Sequence, residues 1–547
     1  MLSPISYLIF LGKRFLVPCQ IKWNDSFLQW DVPANISADF AFSLALPIAH
    51  KTKRSAKEIA QEFIKLIDQK YQLIWEITEQ GYINFRLTNE HYRNFLFHLV
   101  LSQGKNLQPT TKNIWINFEY ISANPTGYLH LGNLRTGIIA DVLANIYDFA
   151  GYQTVREYYI NDRGKQIVDL VDSVYYYYQS LQGATDDNLE KIIAYPGIAS
   201  QETAQKLIAK WKVKYLNKKL TENDFFLWKE TILKIIITRI KQDLEKCGIF
   251  FANWFSEVSL YQNNKHLQLI DKLKNKDLVY EKEGAFFFRT TLTGDEKDRV
   301  IIKQDGNYTY FFSDILYHLN KLGRADYLLE FWGADHHGYV ERVKGACQLL
   351  GYNREKIQVI LTQMVSLLAK DGSTQKFSKR AGNAISINEA LEWLKKDQLR
   401  FCLLEKEPNI HLTISKENLL QKENTRLYYL QYAHARCHQI FKKAKEKGIK
   451  ISYQIDLLES ESERKIYIFL VRFSHVLEKI IEENKPHYLI HYLDELAQLW
   501  QKYYQNNIIL NEENKELSQQ RLFLTKNVQI ILKLGLNLMG IEAPKIM

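Results

Sequence analysis

Two polar segments of this 547-residue chain carry side chains suited to gripping phosphate. The first comprises Ala123, Asn124, Pro125, Thr126, Gly127, Tyr128, Leu129, His130, Leu131, Gly132 and Asn133. His130 and Asn133 can donate hydrogen bonds to phosphate oxygens, and Gly132 has no side chain to keep a flat base from the backbone. Taken alone, His130 is equally an ordinary polar turn residue. The second segment is Lys376, Phe377, Ser378, Lys379 and Arg380, followed by Ala381, Gly382 and Asn383, in a polar stretch that opens at Lys370. Two lysines and an arginine on a loop can fold over a triphosphate and stabilise the charge that develops as pyrophosphate leaves. Losing one such donor costs about 3 kcal/mol of transition-state stabilisation. The alternative is a solvated basic loop, but both patterns in this order rarely coincide by chance.

Elements must hold these segments in place. Residues 114–120 have a strand-like pattern. Leu134, Ile138, Val142, Leu143 and Ile146 then recur at helical spacing, and Gly151 can end that helix. Residues 155–160 read as the next strand. Strand, turn, helix, strand is the opening of a doubly wound parallel sheet. The His130 turn then falls at the carboxyl end of a strand and the start of a helix, where free N–H groups and the helix dipole suit phosphate. Residues 328–332 form another strand, followed by Gly333, Ala334, Asp335, His336, His337 and Gly338. Small residues with polar tips suit the same ligand crevice, so Gly333, Asp335 and His336 are read as lining it. The adjacent histidines have no third ligand at a metal-binding spacing.

The remaining sequence divides around this block. Residues 1–110 read as a small α/β domain. Residues 6–16 are taken as one of its elements and not as a signal peptide. Ser55 opens a capping-box pattern with Glu58, and Ile59, Ala60, Phe63, Leu66 and Ile67 follow at helical spacing. Residues 81–87 alternate as a half-buried strand. The block 111–415 is expected to hold the chemistry, with a helix-rich insertion at about 175–260 and the basic loop at 376–380. From 416 to 547 strand signals fade, and Leu427, Leu430, Cys437 and Phe441 share one helical face. The expected architecture is therefore α/β: a doubly wound, Rossmann-like catalytic domain, a small N-terminal α/β domain and a C-terminal all-α bundle.

The net charge of +10 suits a polyanionic partner, although charge alone favours the plainer reading of a mildly basic surface. Ten prolines and 24 glycines are few for this length, which favours helices with short connections. The five cysteines form no C-x-x-C pair, which argues against a zinc ribbon or a disulfide framework and fits a reducing cytoplasm. No apolar run reaches membrane-spanning length.

The two phosphate-suited segments resemble the HIGH and KMSKR signatures of class I aminoacyl-tRNA synthetases. Residues 117–127, 310–318, 332–339, 429–436 and 543–547 narrow the likeness to arginyl-tRNA synthetases of bacterial type, running from about residue 31 to the end. Asn133 replaces the second histidine of HIGH; it still donates a hydrogen bond but carries no charge. Phe377 replaces the methionine of KMSKR.

The resemblance implies arginine as the amino acid, activated by ATP with Mg2+ and transferred to tRNA(Arg), with no zinc. A planar guanidinium is best met by carboxylates. Glu119 and Asp314 are the candidates, with Tyr310 on the same helical face as Asp314. The plain alternative for Asp314 is a helix N-cap before Ile315. Ser122 and Asn124, with His336, would hold the α-amino and carboxylate groups. Gly127, Leu131 and Gly132 would join Gly333, Asp335 and His336 around ATP, with His130, Asn133, Lys376, Ser378, Lys379 and Arg380 acting on its phosphates. Tyr429, Tyr432 and Arg436 would meet unstacked anticodon bases together with Met547, although spacing alone makes the tyrosines core residues. Asp39 and Phe40 resemble the family segment that meets the tRNA elbow. The likeness further implies a cytoplasmic monomer, with no membrane role, whose amino-acid activation requires bound tRNA. The rivals are a nucleotidyltransferase, a non-catalytic tRNA-binding paralogue and a synthetase of another specificity.

Overall fold

The computed structural model describes residues 4–30, 32–33, 36–71, 73–109, 111–184, 193–368, 374–376, 385–415 and 425–547. The chain opens with helix α1 (Pro4–Leu16), followed by strands β1 (Leu28–Gln29) and β2 (Phe40–Phe42), helices α2 (Ala45–Thr52) and α3 (Ala56–Ile64), strands β3 (Leu73–Ile77) and β4 (Ile83–Leu87) and helix α4 (Asn89–Ser102). The strands form an antiparallel sheet of order β1-β2-β4-β3. Ser55 caps α3, its Oγ accepting the Glu58 N–H, and Ile59, Ala60 and Phe63 are buried. The helix stops at Ile64, so Leu66 falls off the stripe and is exposed. Gly81 turns β3 into β4 at φ +88°, where a Cβ would lie 2.6 Å from that of Ala56. The first residues, which the resemblance left unplaced, are α1: Ile5, Leu8 and Leu16 enter the core. Ser6 and Lys13 reach Glu478 and Glu482, near the other end of the chain.

The middle of the chain is doubly wound. It comprises β5 (Trp115–Glu119), α5 (Leu131–Phe149), β6 (Gln153–Ile160), α6 (Lys165–Ser180), α7 (Ile198–Trp211), α8 (Glu222–Lys246), β7 (Asn253–Ser256) and α9 (Lys265–Asn275). An antiparallel sheet of β8 (Val279–Lys282), β9 (Ala285–Phe288) and β10 (Arg299–Ile302) follows, which the sequence reading passed over. Then come α10 (Tyr310–Leu322), β11 (Tyr327–Gly333), α11 (His337–Leu349) and β12 (Ile357–Thr362). The central sheet is parallel throughout, of order β12-β11-β5-β6-β7. The chain leaves β5 toward β6 on one side and later returns as β11 on the other. The crevice of such a sheet opens at that switch point, beyond the carboxyl ends of β5 and β11. The apolar stripe of α5 is fully buried, and Gly151, at φ +85°, ends the helix while Tyr152 N–H reaches back to Tyr147 O. The helix-rich stretch returns to this sheet through β7, a strand too short to show in the pattern.

Strands β13 (Val365–Leu368) and β14 (Thr374–Lys376) are antiparallel neighbours and lead to α12 (Ile387–Trp393), α13 (Lys396–Leu404) and β15 (Leu412–Ser415). The end of the chain is helical: α14 (Arg426–Glu446), α15 (Glu461–Glu483), α16 (His487–Asn506) and α17 (Lys515–Leu538). Leu427, Leu430 and Cys437 are buried and Phe441 half-buried against the same core. Arg400 locks this bundle to the sheet domain: fully buried, it donates to Met539 O at 2.7 Å, Cys247 O at 3.0 Å and Asp141 Oδ2 at 2.5 Å. Among the described residues, no helix is long and apolar enough to cross a membrane.

Candidate active site

The chain leaves β5 through an unusual turn. Ile121 has φ +68° and Ser122 has φ +37°, and Ser122 N–H bonds back to Tyr120 O at 2.9 Å. A β-branched residue at positive φ is strained, and such strain persists where packing over-determines it. Here the Ile121 side chain fills the space over Gly137 of α5, where a Cβ would meet it at 2.7 Å. The turn aims Ser122 inward. Its Oγ donates to Glu119 Oε1 at 3.0 Å and accepts from Tyr159 N–H at 3.1 Å. With its one proton committed to Glu119, Ser122 can accept from an ammonium but cannot donate to a carboxylate. That removes half of its expected role. Asn124 lies half-buried beside the Asn161 side chain.

His130 is the N-cap of α5. Its Nδ1 accepts from the N–H groups of Gly132 and Asn133, at 3.1 and 3.4 Å, and Asn133 Oδ1 accepts from His130 N–H at 3.3 Å. This reciprocal capping box fixes the ring, and with Nδ1 an acceptor, a neutral imidazole donates through Nε2. The expected reason for Gly132 is corrected: a Cβ there would sit 3.0 Å from His130 Cε1, so the missing side chain makes room for the histidine, not for a base. Leu131 is also corrected. Its side chain is buried, and its N–H donates to Ile385 O at 3.2 Å, so neither reaches a nucleotide. Leu129 O in turn accepts from Ile387 N–H at 3.1 Å. The chain just after the basic loop is thereby tied to the histidine turn. Lys376 ends β14 opposite Ser366, while Ser378, Lys379 and Arg380 lie outside the described residues. Gly127 has nothing within 4 Å of a would-be Cβ. Gly333 ends β11 and Asp335 and His336 follow it, all three exposed.

Beneath this crevice, Glu157, Glu119 and Glu330 stand in one register row across β6, β5 and β11. Three adjacent carboxylates in a sheet interior need cations, and α10 and the turn after it supply them. Lys321 Nζ donates to Glu119 Oε2 and Glu330 Oε1, both at 2.5 Å. Arg324 pairs with Glu157, and His318 Nε2 lies 3.0 Å from Glu330 Oε2. Burial alone would raise Glu330, but His318 and Lys321 overcome it and hold the carboxyl at about 2. Burial pushes Glu119 up, and Lys321 opposes it. The expected pair of carboxylates shares these neighbours: burial also raises Asp314, opposed by the Tyr339 hydroxyl, His318 and Lys321. The Tyr159 hydroxyl lies among Glu257, Asp314 and Glu119, and burial with these charges raises it.

Thr309 caps α10, and Asp314 sits in its second turn, so the capping alternative for Asp314 falls away. Tyr310 starts the helix with its ring exposed, while Tyr339 bonds Asp314. The sequence reading gave no role to Tyr159, Glu257, Lys321 or Tyr339. Tyr339 stands in a segment that carried the resemblance, but nothing local marked the others.

The structure divides the expected RNA contacts. Tyr429 is 56% exposed on α14. Tyr432 stacks on Tyr428, and Arg436 lies 4.7 Å over the Tyr432 ring. Met547 lines a groove of about 490 Å3 with Lys395, Lys396, Tyr428 and Gln431. Asp39 and Phe40 are corrected. Asp39 is 2% exposed, and its carboxylate accepts from Arg464 Nε at 2.7 Å, Arg464 Nη2 at 2.8 Å, Leu87 N–H at 2.7 Å and Tyr92 Oη at 2.9 Å. Phe40 is wholly within the core. Neither side chain can touch RNA; the Asp39 carboxylate joins the N-terminal sheet to α15.

Three family models match the chain: an arginyl tRNA synthetase N-terminal domain over residues 19–87, a class I (R) tRNA synthetase catalytic domain over 96–434 and a DALR anticodon binding domain over 430–547. Curated relatives include the arginine–tRNA ligase of Listeria welshimeri, 36% identical over 515 residues, which cover 93% of this chain and 92% of that one. Arginine–tRNA ligase 1 of Halalkalibacterium halodurans is 37% identical over 514 residues, again 93% of this chain and 92% of that one. Among solved structures, the arginyl-tRNA synthetase of Thermus thermophilus superposes with a TM-score of 0.77 at 21% identity. That of Plasmodium falciparum superposes with 0.73 at 18%. Each match covers the full length of both chains. At those identities the likeness is one of fold.

Proposed function

This chain belongs to the arginyl-tRNA synthetase family, and from its own geometry we propose which residues carry arginine, ATP and tRNA through the reaction. The enzyme ligates arginine to tRNA with ATP as the energy source. The arginine carboxylate attacks the α-phosphate of ATP, giving arginyl-adenylate and pyrophosphate. A terminal ribose hydroxyl of the tRNA then attacks the adenylate carbonyl and releases AMP. The observation that carries the assignment of roles is that the buried carboxylates of Glu119, at the end of β5, and Asp314, on α10, share the neighbours Lys321, His318 and Glu330.

Glu119 and Asp314 meet the guanidinium, with Tyr310 at the rim. Ser122 accepts from the α-ammonium, and Asn124 and His336 complete the amino-acid site. His130, through Nε2, and the Asn133 amide donate to the phosphates of ATP, which enters as its Mg2+ complex. Gly127, Gly333 and Asp335 line the adenosine. Lys376, Ser378, Lys379 and Arg380 stabilise the departing pyrophosphate, so the catalysis is positioning and electrostatics without a protein nucleophile. Tyr429, Tyr432, Arg436 and Met547 contact the anticodon arm, with Tyr429 the exposed stacking surface. The domains are read as 1–110, 111–415 and 416–547. The enzyme is taken as a zinc-free cytoplasmic monomer that needs bound tRNA for activation.

The test is attachment of each labelled amino acid to bulk tRNA, with pyrophosphate exchange run with and without tRNA. Arginine alone should be charged, and exchange should require tRNA. Exchange with another amino acid would remove Glu119 and Asp314 from the amino-acid site.

A further inference from the structure

We propose that Lys321 is the positioning residue that makes Glu119 a guanidinium acceptor, by holding one carboxylate oxygen and keeping the group ionised. The inference rests on Glu119 contacting arginine. Lys321 itself is fully buried, so it touches no ligand and acts only through its neighbours.

The argument starts from the row of carboxylates. Glu119 is flanked on the neighbouring strands by Glu157 and Glu330 at the same register. Glu157 has its own partners, Arg324, Tyr317 and Asn253. Glu330 has His318 on one oxygen and Lys321 on the other. Glu119 has one cation among the described residues, the Lys321 ammonium at 2.5 Å on Oε2, and that cation is shared. Its other oxygen, Oε1, takes the neutral hydroxyl of Ser122. The Glu119 side chain retains 11% exposure, whereas Lys321 and Glu330 retain none. The carboxylate thus spans from the sealed charge cluster to the crevice.

The other charges facing this cluster do not replace Lys321. His318 also lowers the Glu119 pKa but is held against Glu330 Oε2, Asp314 is a further acid sharing the same neighbours, and the Tyr159 and Tyr317 hydroxyls are neutral. A buried carboxylate beside a second one ionises only when a cation offsets both burial and repulsion. Without Lys321, Glu119 and Glu330 would share a proton, and Glu119 would meet a guanidinium as a neutral acid. The sharing also fixes geometry: Oε2 is held by Lys321, which leaves Oε1, with only the Ser122 hydroxyl on it, to meet the guanidinium. A bound guanidinium then completes the charge balance of the row.

The experiment uses the full-length enzyme with tRNA, ATP and arginine, comparing Glu119→Gln, Lys321→Met, Lys321→Arg and Glu330→Gln. The expected result for Lys321→Met is an arginine KM raised about tenfold or more, with the KM for ATP unchanged and kcat little altered. The KM should fall again as pH rises, because a carboxyl whose pKa has been raised recovers its charge in alkali, while the wild-type KM stays flat there. Lys321→Arg should restore part of the affinity. Glu330→Gln leaves Lys321 to Glu119 alone and should keep the arginine KM near wild type. If Glu119→Gln raises the arginine KM but Lys321→Met leaves it unchanged and pH-independent, the role of Lys321 is overturned and the reading of Glu119 stands. If Glu119→Gln leaves the KM unchanged, the amino-acid site itself is misassigned and this inference falls with it. Should Lys321→Met fail to fold, Glu330→Gln decides: an arginine KM raised as far as in Glu119→Gln overturns the proposal.

Discussion

Replacing Asp39 by alanine separates an RNA contact from a structural joint. The carboxylate accepts two hydrogen bonds from Arg464 and one each from Leu87 N–H and Tyr92 Oη. Alanine removes all four and strands the Arg464 guanidinium, only 23% exposed, against the N-terminal sheet. Breaking a buried pair by deleting one partner costs about 3–5 kcal/mol, because the remaining charge has lost its compensation. Arg464→Ala should cost a similar amount by stranding Asp39. The double variant leaves no unpaired charge, so its cost should fall short of the sum by about 3 kcal/mol. The assay is urea unfolding followed by limited proteolysis of the N-terminal domain, since a chain of several domains need not unfold in one step. Steady-state charging at low temperature reads the tRNA KM in parallel. The expected result is an earlier first transition, freed N-terminal fragments and an unchanged tRNA KM while the protein is folded. A raised tRNA KM with unaltered unfolding would refute this account and return Asp39 to the RNA surface.

Other expectations follow from the same geometry and, for Lys379, from the proposed role of the basic loop. Gly132→Ala should leave the fold intact but shift the His130 ring by a few tenths of an ångström, lowering kcat by up to ~10-fold, less than the ~100-fold of a full 1 Å misplacement at a reacting centre; an unchanged kcat would show that the ring position is immaterial. Lys379→Ala should cut the rate of adenylate formation by about 100-fold in single-turnover assays, with arginine affinity retained. Tyr339→Phe removes the hydroxyl that opposes burial at Asp314, so the Asp314 carboxyl should rise further and the arginine KM should increase by up to tenfold, most strongly at acid pH; a pH-independent KM equal to wild type counts against Asp314. Burial holds His475 at about 4, with Nδ1 unpartnered among the described residues and the ring packed on Trp30. Its folded pKa lies below the unfolded value of about 6.5, so its contribution is present above that pH and is lost as pH falls toward 4, by at most ~3 kcal/mol. The urea midpoint should drop through that window in the wild type and less in His475→Gln.

The phosphate-suited turn was legible because a histidine at the end of a strand and before a helical stripe obeys local rules. In the structure His130 caps α5, while Gly132 makes room for its ring and not, as expected, for a base. The parallel sheet and the terminal helices were legible for a similar reason, since burial imposes periods of 2 and 3.6 on neighbouring residues. Asp39 and Phe40 were misread because resemblance places a segment without saying which side chains face inward. β7 escaped notice because four residues carry no period.

By itself the sequence determined the family, the order of the domains and the two segments that resemble the family signatures, all encoded over short stretches. Only the tertiary structure decided which charges meet. Lys321 lies 202 residues from Glu119, and Arg464 lies 425 residues from Asp39. No spacing rule links such pairs. They are selected because a charge withdrawn from water must find its opposite in whichever element packs against it, and that choice exists only once the chain has folded.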